Sequence, residues 1–263
     1  PWHRPWAVGG LPRNFVTKKP YRGLNCFLLQ LNEFQEPFYL TFNQVKNLKG
    51  SVKGDAKSQL VIYWNWLESK TETDQKGYPK LIPLLRYYRV FNIEQVIGIK
   101  FQSAIKQLSE FEKISNCEQI IEGYKNRPNL SHTQQRAFYD PLNDVINMPI
   151  KESFKTKEEY YSTLFHEMIH STGHLSRLNR TEVSTTSAFG SDDYSKEELV
   201  AEMGAAFLCA QTGISVNTLT NSASYISYWL NKLKQDSRVL FQAASQAQKG
   251  VDFMLNTTAN DVT

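Results

Sequence analysis

Apolar residues recur at helical spacing in three stretches of the second half of the chain. Tyr161, Leu164, Phe165, Met168 and Ile169 form the first stripe and predict a helix over 158–169. Thr156 and Glu159 stand where a capping box would start it, and Gly173 where a helix would stop. Leu199, Met203, Ala206, Phe207 and Ala210 form a second stripe, opening at Ser195 and closing at Gly213. Tyr225, Ile226, Trp229, Leu230 and Leu233 form a third, within one or two helices over 221–249. The tail after Leu255 reads as frayed.

The first half has a different texture. Pro1, Pro5, Gly9, Gly10, Pro12 and Pro20 make residues 1–20 irregular. Short helices are expected over 21–33 and 41–48, then strands near 58–67 and 81–93. A polar hairpin over 68–80 joins them, with Gly77 and Pro79 serving the turn. Residues 94–113 are mixed and include a linker, and 114–126 read as a helix. Residues 137–140 and 144–148 read as a second hairpin, whose second strand, ended by Pro149, is expected at an edge. The polar, Ser/Thr-rich segment 178–193 reads as a lid or a long loop. Together these elements predict an α+β chain of two domains, 1–110 and 111–263, and 263 residues suffice for two ordinary cores.

Charge separates the same halves. Residues 1–110 carry 16 Lys and Arg against 8 Asp and Glu, while residues 111–263 carry 14 against 18. The basic half also holds 17 of the 33 aromatic residues, four of the five tryptophans among them. Cations that track phosphates, interleaved with rings that stack on bases, suit single-stranded nucleic acid. Trp2, Arg4, Trp6, Arg13, Lys18, Lys19 and Arg22 lie in the Pro/Gly-rich segment, where exposure is expected. Lys53 and Lys57 belong to a four-lysine turn over 46–57, which suits phosphate contact or simple solvation. For Tyr63, Trp64 and Trp66, alternating along a strand-like run, packing in a β core is at least as good a reading as stacking on bases.

The sharpest chemistry is His166-Glu-Met-Ile-His-Ser-Thr-Gly-His174, which holds three of the five histidines. On a helix His166 and His170 share one face, one turn apart, so their imidazoles can converge on one cation. Glu167 stands beside the first ligand, where a carboxylate reaches a water rather than the ion. His-Glu-x-x-His on a helix reads as a metal hydrolase site, with zinc the first choice and another divalent metal possible. A third ligand must come from elsewhere. His174 follows Gly173, which breaks the helix. A histidine ten residues after the first would fall at 176, and this chain has Ser176. Glu198 and Glu202, one turn apart on the next helix, are better placed: one for the metal, the other for the free nitrogen of a ligand histidine. A capping box of Ser195 with Glu198 would occupy Glu198 and leave Glu202 to the metal.

Cys26, Cys117 and Cys209 are far apart and odd in number, and read as reduced, semi-buried thiols of a cytoplasmic protein. No apolar run approaches the ~18 residues of a membrane span, and the N-terminal residues have no signal-peptide core.

Several runs resemble the ArdC-type plasmid antirestriction family. In the second half they are Asp144-Val-Ile-Asn-Met-Pro149, His166 to His170, Thr172-Gly-His174, Arg177-Leu-Asn-Arg180 and Glu197-Glu-Leu-Val-Ala-Glu202. In the first half they are Pro1-Trp-His-Arg-Pro-Trp6, Pro20-Tyr-Arg-Gly-Leu-Asn25 and Tyr39-Leu-Thr-Phe-Asn-Gln-Val45. The resemblance covers nearly the whole chain. It implies a small α/β single-stranded-DNA-binding domain, followed by a mainly helical zincin metallopeptidase domain with a small β-hairpin or sheet. It implies one zinc per chain, with Glu198 as the third ligand, and a protein substrate at DNA. Family members usually carry a helical segment before the position of Pro1, so a longer protein is expected. The zinc would polarise water and the scissile carbonyl, Glu167 would move the proton, and the hairpin edge would take the extended peptide. His174, Arg177, Arg180 and Tyr194 are the nearby candidates for the oxyanion. Protection of incoming DNA with an inactive metal site, and repair of DNA–protein crosslinks, are the competing functions.

Overall fold

The computed structural model describes residues 10–32, 34–73, 78–105, 108–184, 192–214 and 238–257. Trp2, Arg4, Trp6 and the stripe from Tyr225 to Leu233 lie outside the described residues, as do the side chains of Trp64, Trp66 and Tyr194.

The chain is α+β, with its main sheet in the first half and its helices massed in the second. Strand β1 (Arg13–Asn14) leads to helix α1 (Gly23–Gln30), strand β2 (Phe38–Thr41), helix α2 (Phe42–Asn47) and strand β3 (Ser51–Val52). Strands β4 (Gln59–Thr73) and β5 (Pro79–Asn92) form a long hairpin, followed by the short strand β6 (Val96–Ile97). The main sheet has the order β1-β2-β5-β4, and β3 pairs with β6 in a separate ribbon. Alternation along the strands makes two cores. Tyr39, Val61 and Val90 pack with Leu29 of α1 on one face, and Phe38 and Leu40 with Val45 and Ile93 on the other. The polar 68–80 stretch is shorter as a turn than expected: pairing continues to Thr73↔Pro79. Cross-strand bonding here does not require an apolar face.

The second half opens with α3 (Glu110–Gly123), which starts four residues before its expected position. Ser109 and Glu112 cap its first turn reciprocally. The expected domain boundary at 110/111 therefore falls within this turn. Strands β7 (Asn129–Ser131), β8 (Phe138–Asp140) and β9 (Val145–Asn147) form a small sheet in the order β7-β9-β8. The expected edge assignment is corrected here. β9 is the central strand and β8 lies at the edge, because β7 adds to β9 in parallel. Buried Asn147 fixes the connection, accepting from Thr133 and Gln134 and donating to the carbonyls of Gln134 and Arg136.

Helices α4 (Lys157–Thr172), α5 (Thr181–Ser184), α6 (Asp192–Thr212) and α7 (Arg238–Leu255) complete the described fold. At the start of α4, Thr156 caps Glu159 N at 3.1 Å, but the Glu159 carboxylate turns to Lys155 N, so only half of the expected box forms. Helix α6 is buried nearly all round, because α4, α5, α3 and α7 all pack against it. Its single expected apolar stripe was therefore too narrow. Cys26 of α1 joins the same core, and Arg22 pairs with Asp252 of α7, so α1 ties the sheet to the helical region. All three cysteines are buried thiols, and burial drives their pKa values upward.

Candidate metal centre

Two helices build the site. Helix α4 carries His166, Glu167 and His170, and α6 carries Glu197, Glu198 and Glu202. Their close approach depends on Gly204. A Cβ there would lie 2.8 Å from Ile169 of α4. Helix α6 begins at Asp192, a turn before Ser195, so Ser195 is an interior residue and Glu198 is not held in an N-terminal box.

The structure brings His166, His170 and Glu198 together. The two histidine Nε2 atoms are 3.0 Å apart, and Glu198 oxygens lie 3.5 Å from His166 Nε2 and 3.4 Å from His170 Nε2. Adjacent ligands around a tetrahedral ion with bonds of 2.0–2.1 Å stand about 3.3 Å apart. Two imidazoles and a carboxylate at these separations fit a divalent cation. The far nitrogens of both rings face other carboxylates. Glu197 Oε1 is 3.2 Å from His170 Nδ1, and Glu202 Oε1 is 3.7 Å from His166 Nδ1, beyond direct hydrogen bonding.

The charged groups of this buried cluster shift one another. Burial alone would lower the His170 pKa, but bonds to Glu197 and Glu198 outweigh it and lift it to about 10. Burial raises the Glu167 carboxyl; the neighbouring histidines, and the backbone N–H of Tyr139 on the edge strand β8, act against it. Glu198 is desolvated too, yet its two histidines hold it well below the usual carboxylate range.

The other expected residues are engaged elsewhere. His174 Nδ1 lies 2.8 Å from Ser176 Oγ and is not in the convergent group. Arg177 clamps the turn after α4, donating to Ser171 O at 2.7 Å, to Asn126 O at 3.0 Å and to Asp144. Arg180 is buried and donates to both Glu197 oxygens and to Thr172 Oγ1. Both arginines are thus held in ion pairs, Arg177 with Asp144 and Arg180 with Glu197. Gly173 ends α4 in a right-handed conformation, so close packing explains the glycine: a Cβ would meet Val183 Cγ2 at 2.4 Å. Sequence reasoning assigned no role to Glu197. Its neighbour Glu198 offers the same chemistry, and only the fold shows which carboxylate meets Arg180.

Among the nucleic-acid candidates, Lys18, Lys19, Lys53 and Lys57 are exposed. Lys18 lies over the rings of Phe15 and Phe38, and Lys53 Nζ donates to Glu94 O. Arg13 donates to Leu11 O, and Arg22 is held by Asp252.

Comparison with known proteins gives this geometry a family. A model described as a zincin-like metallopeptidase matches residues 116–246, and one for the N-terminal domain of anti-restriction factor ArdC matches residues 1–91. The crystal structure of the metal-free antirestriction ArdC protein from the R388 plasmid superposes with a TM-score of 0.75 at 33% identity, covering 97% of this chain and 92% of that one. The chain belongs to the ArdC antirestriction family. An Mn(II)-bound structure of that ArdC protein gives a TM-score of 0.73 at 31% identity, with the same coverage. A DNA primase TraC of Escherichia coli is 32% identical over 97% of this chain, which spans 25% of that relative's length. The uncharacterized protein y4eC of Sinorhizobium fredii is 31% identical, over 97% of this chain and 84% of its own. The zincin-like match, the Mn(II)-bound relative and the convergent His166, His170 and Glu198 point to a divalent metal at this site. Among the described residues no helix is long and apolar enough to cross a membrane.

Proposed function

We propose that the chain is a cytoplasmic antirestriction protein of a mobile element that binds single-stranded DNA and hydrolyses protein substrates with zinc. The observation that carries this reading is the convergence of His166, His170 and Glu198 beside the buried carboxyl of Glu167. In it, His166, His170 and Glu198 hold the metal. When bound, a zinc ion supplies Lewis acidity toward water and a carbonyl oxygen. Glu167 accepts the proton of the attacking water and returns it to the leaving amine, and burial raises its carboxyl from the ordinary value. Glu197, held by Arg180, orients His170, and Glu202 faces the outer nitrogen of His166. Edge strand β8 is the site for an extended peptide. The basic, aromatic-rich first half supports the choice of single-stranded DNA.

Cleavage of an unfolded protein, with and without single-stranded DNA, tests this function. Activity in wild type that disappears in Glu167→Gln supports it. Tight DNA binding with no cleavage under any condition overturns the peptidase and leaves DNA protection.

A further inference from the structure

The β4–β5 hairpin is longer than the sheet that anchors it. Strand β2 pairs with β5 only at Val90, Phe91 and Asn92, so from Tyr63 and Tyr88 outward the ladder of described pairs is β4 with β5 alone. A two-stranded ribbon in water has little to bury its side chains against. This one nevertheless presents large rings: Tyr63 is 45% exposed and Tyr88 41%. Of the two readings open for Tyr63, packing in a β core is not what the structure shows.

Tyr63 and Tyr88 share one face. Tyr63 stands opposite Arg86 in the register, and Tyr88 opposite Val61. Their ring centroids are 6.5 Å apart and nearly perpendicular, and Arg86 is exposed beside them. Strand β5 contains Lys80, Arg86 and Arg89 and no acidic residue. Among the described side chains, the other face offers the exposed Tyr87 and Leu60, and Arg89, which already donates to Ser58 Oγ.

We propose that the Tyr63–Tyr88–Arg86 face of this ribbon is a docking surface for single-stranded DNA, the two rings stacking on unpaired bases and Arg86 meeting a phosphate. This assignment rests on the single-stranded-DNA reading above and gives it a location. Unpaired bases explain exposed rings, and a polyanion explains cations without carboxylates on the strand. A duplex keeps its bases stacked, and an apolar protein partner does not need Arg86.

The test is fluorescence anisotropy of a labelled oligothymidylate of about 20 nucleotides, titrated with the 263-residue chain at several salt concentrations. Tyr63→Ala/Tyr88→Ala weakens binding by at least about tenfold, since each lost stack carries a severalfold effect. Tyr63→Phe/Tyr88→Phe binds like wild type and shows that the rings, rather than the hydroxyls or the fold, are responsible. Arg86→Ala lowers the salt slope by about 0.7, and the tyrosine variants leave it unchanged. Tyr87→Ala, on the reverse face, has a smaller effect than the double variant. Wild-type binding that survives in both Tyr63→Ala/Tyr88→Ala and Arg86→Ala overturns this surface and leaves the DNA reading standing. So does a double variant that loses only self-association. No binding by wild type at any salt concentration overturns the DNA reading itself, and the surface with it.

Discussion

Glu197 Oε1 lies 3.2 Å from Nδ1 of His170, the ring nitrogen that points away from His166 and Glu198. The same carboxylate takes two bonds from the buried guanidinium of Arg180. One acidic side chain thus joins the metal centre to the turn that follows α4. Partners of this kind set the orientation and basicity of a metal-binding imidazole, and their loss typically lowers affinity about 10–100-fold. Glu197→Gln is expected to weaken zinc binding by that order in a chelator competition. Glu197→Ala strands a buried Arg180 and is expected to destabilise the fold by about 3 kcal/mol as well.

The carboxylates around His170 favour its protonated form, so a proton competes with a cation for this ring. His170 is lifted to about 10 because its two glutamates outweigh its desolvation. Metal uptake at neutral pH should therefore release protons, and affinity should fall as the pH drops. Calorimetric titration in buffers of different ionisation heat checks this. A binding heat independent of the buffer contradicts it.

Gly204 sets the distance between the two site helices. Its Cβ position lies 2.8 Å from two carbons of Ile169, so Gly204→Ala should overpack the α4–α6 contact and cost about 1–3 kcal/mol in denaturant unfolding. Ile169→Ala alone leaves a cavity. Combined with Gly204→Ala it should recover part of the loss, a coupling that a double-mutant cycle measures.

Asp144 gives the fold an acid-sensitive clamp. Desolvation pushes its carboxyl up, but bonds from Arg177 and Tyr139 outweigh this and hold it below the usual value. A depressed carboxyl stabilises the fold above its unfolded pKa, about 3.9, and that stability is lost as pH falls through the folded value. Asp144→Asn keeps a residue type that tolerates the positive φ of 51°. The gap between wild type and Asp144→Asn should be about 1.5–3 kcal/mol at neutral pH, constant above about pH 5 and closing below about pH 4. A gap that widens in acid contradicts this account.

Much of the site was legible because a helix turn is a fixed ruler. His166 and His170 had to share a face, and a glutamate pair on the next helix had to supply what the first could not. Choosing between Glu198 and Glu202 required the start of α6, and the Ser195–Glu198 spacing imitates a capping box that the helix, begun at Asp192, does not use. Ser109 and Glu112 carry a reciprocal capping signal in the sequence itself, and it sets the start of α3 four residues before 114. Strand β7 is three residues long, too short for a period of two to stand out, and without it β9 passed for an edge. Exposure at Tyr63 was not readable, because alternation states which residues share a face and not whether anything covers it.

Metal content after purification tests the central claim most directly. Zinc-loaded wild type, Glu167→Gln, Glu202→Gln and Glu198→Ala would be desalted and assayed for bound metal. The account predicts one zinc per chain in wild type and Glu167→Gln, weakened retention in Glu202→Gln, and none in Glu198→Ala. A Glu198→Ala protein that keeps its zinc while Glu202→Gln or Glu167→Gln loses it would contradict the assignment of these carboxylates.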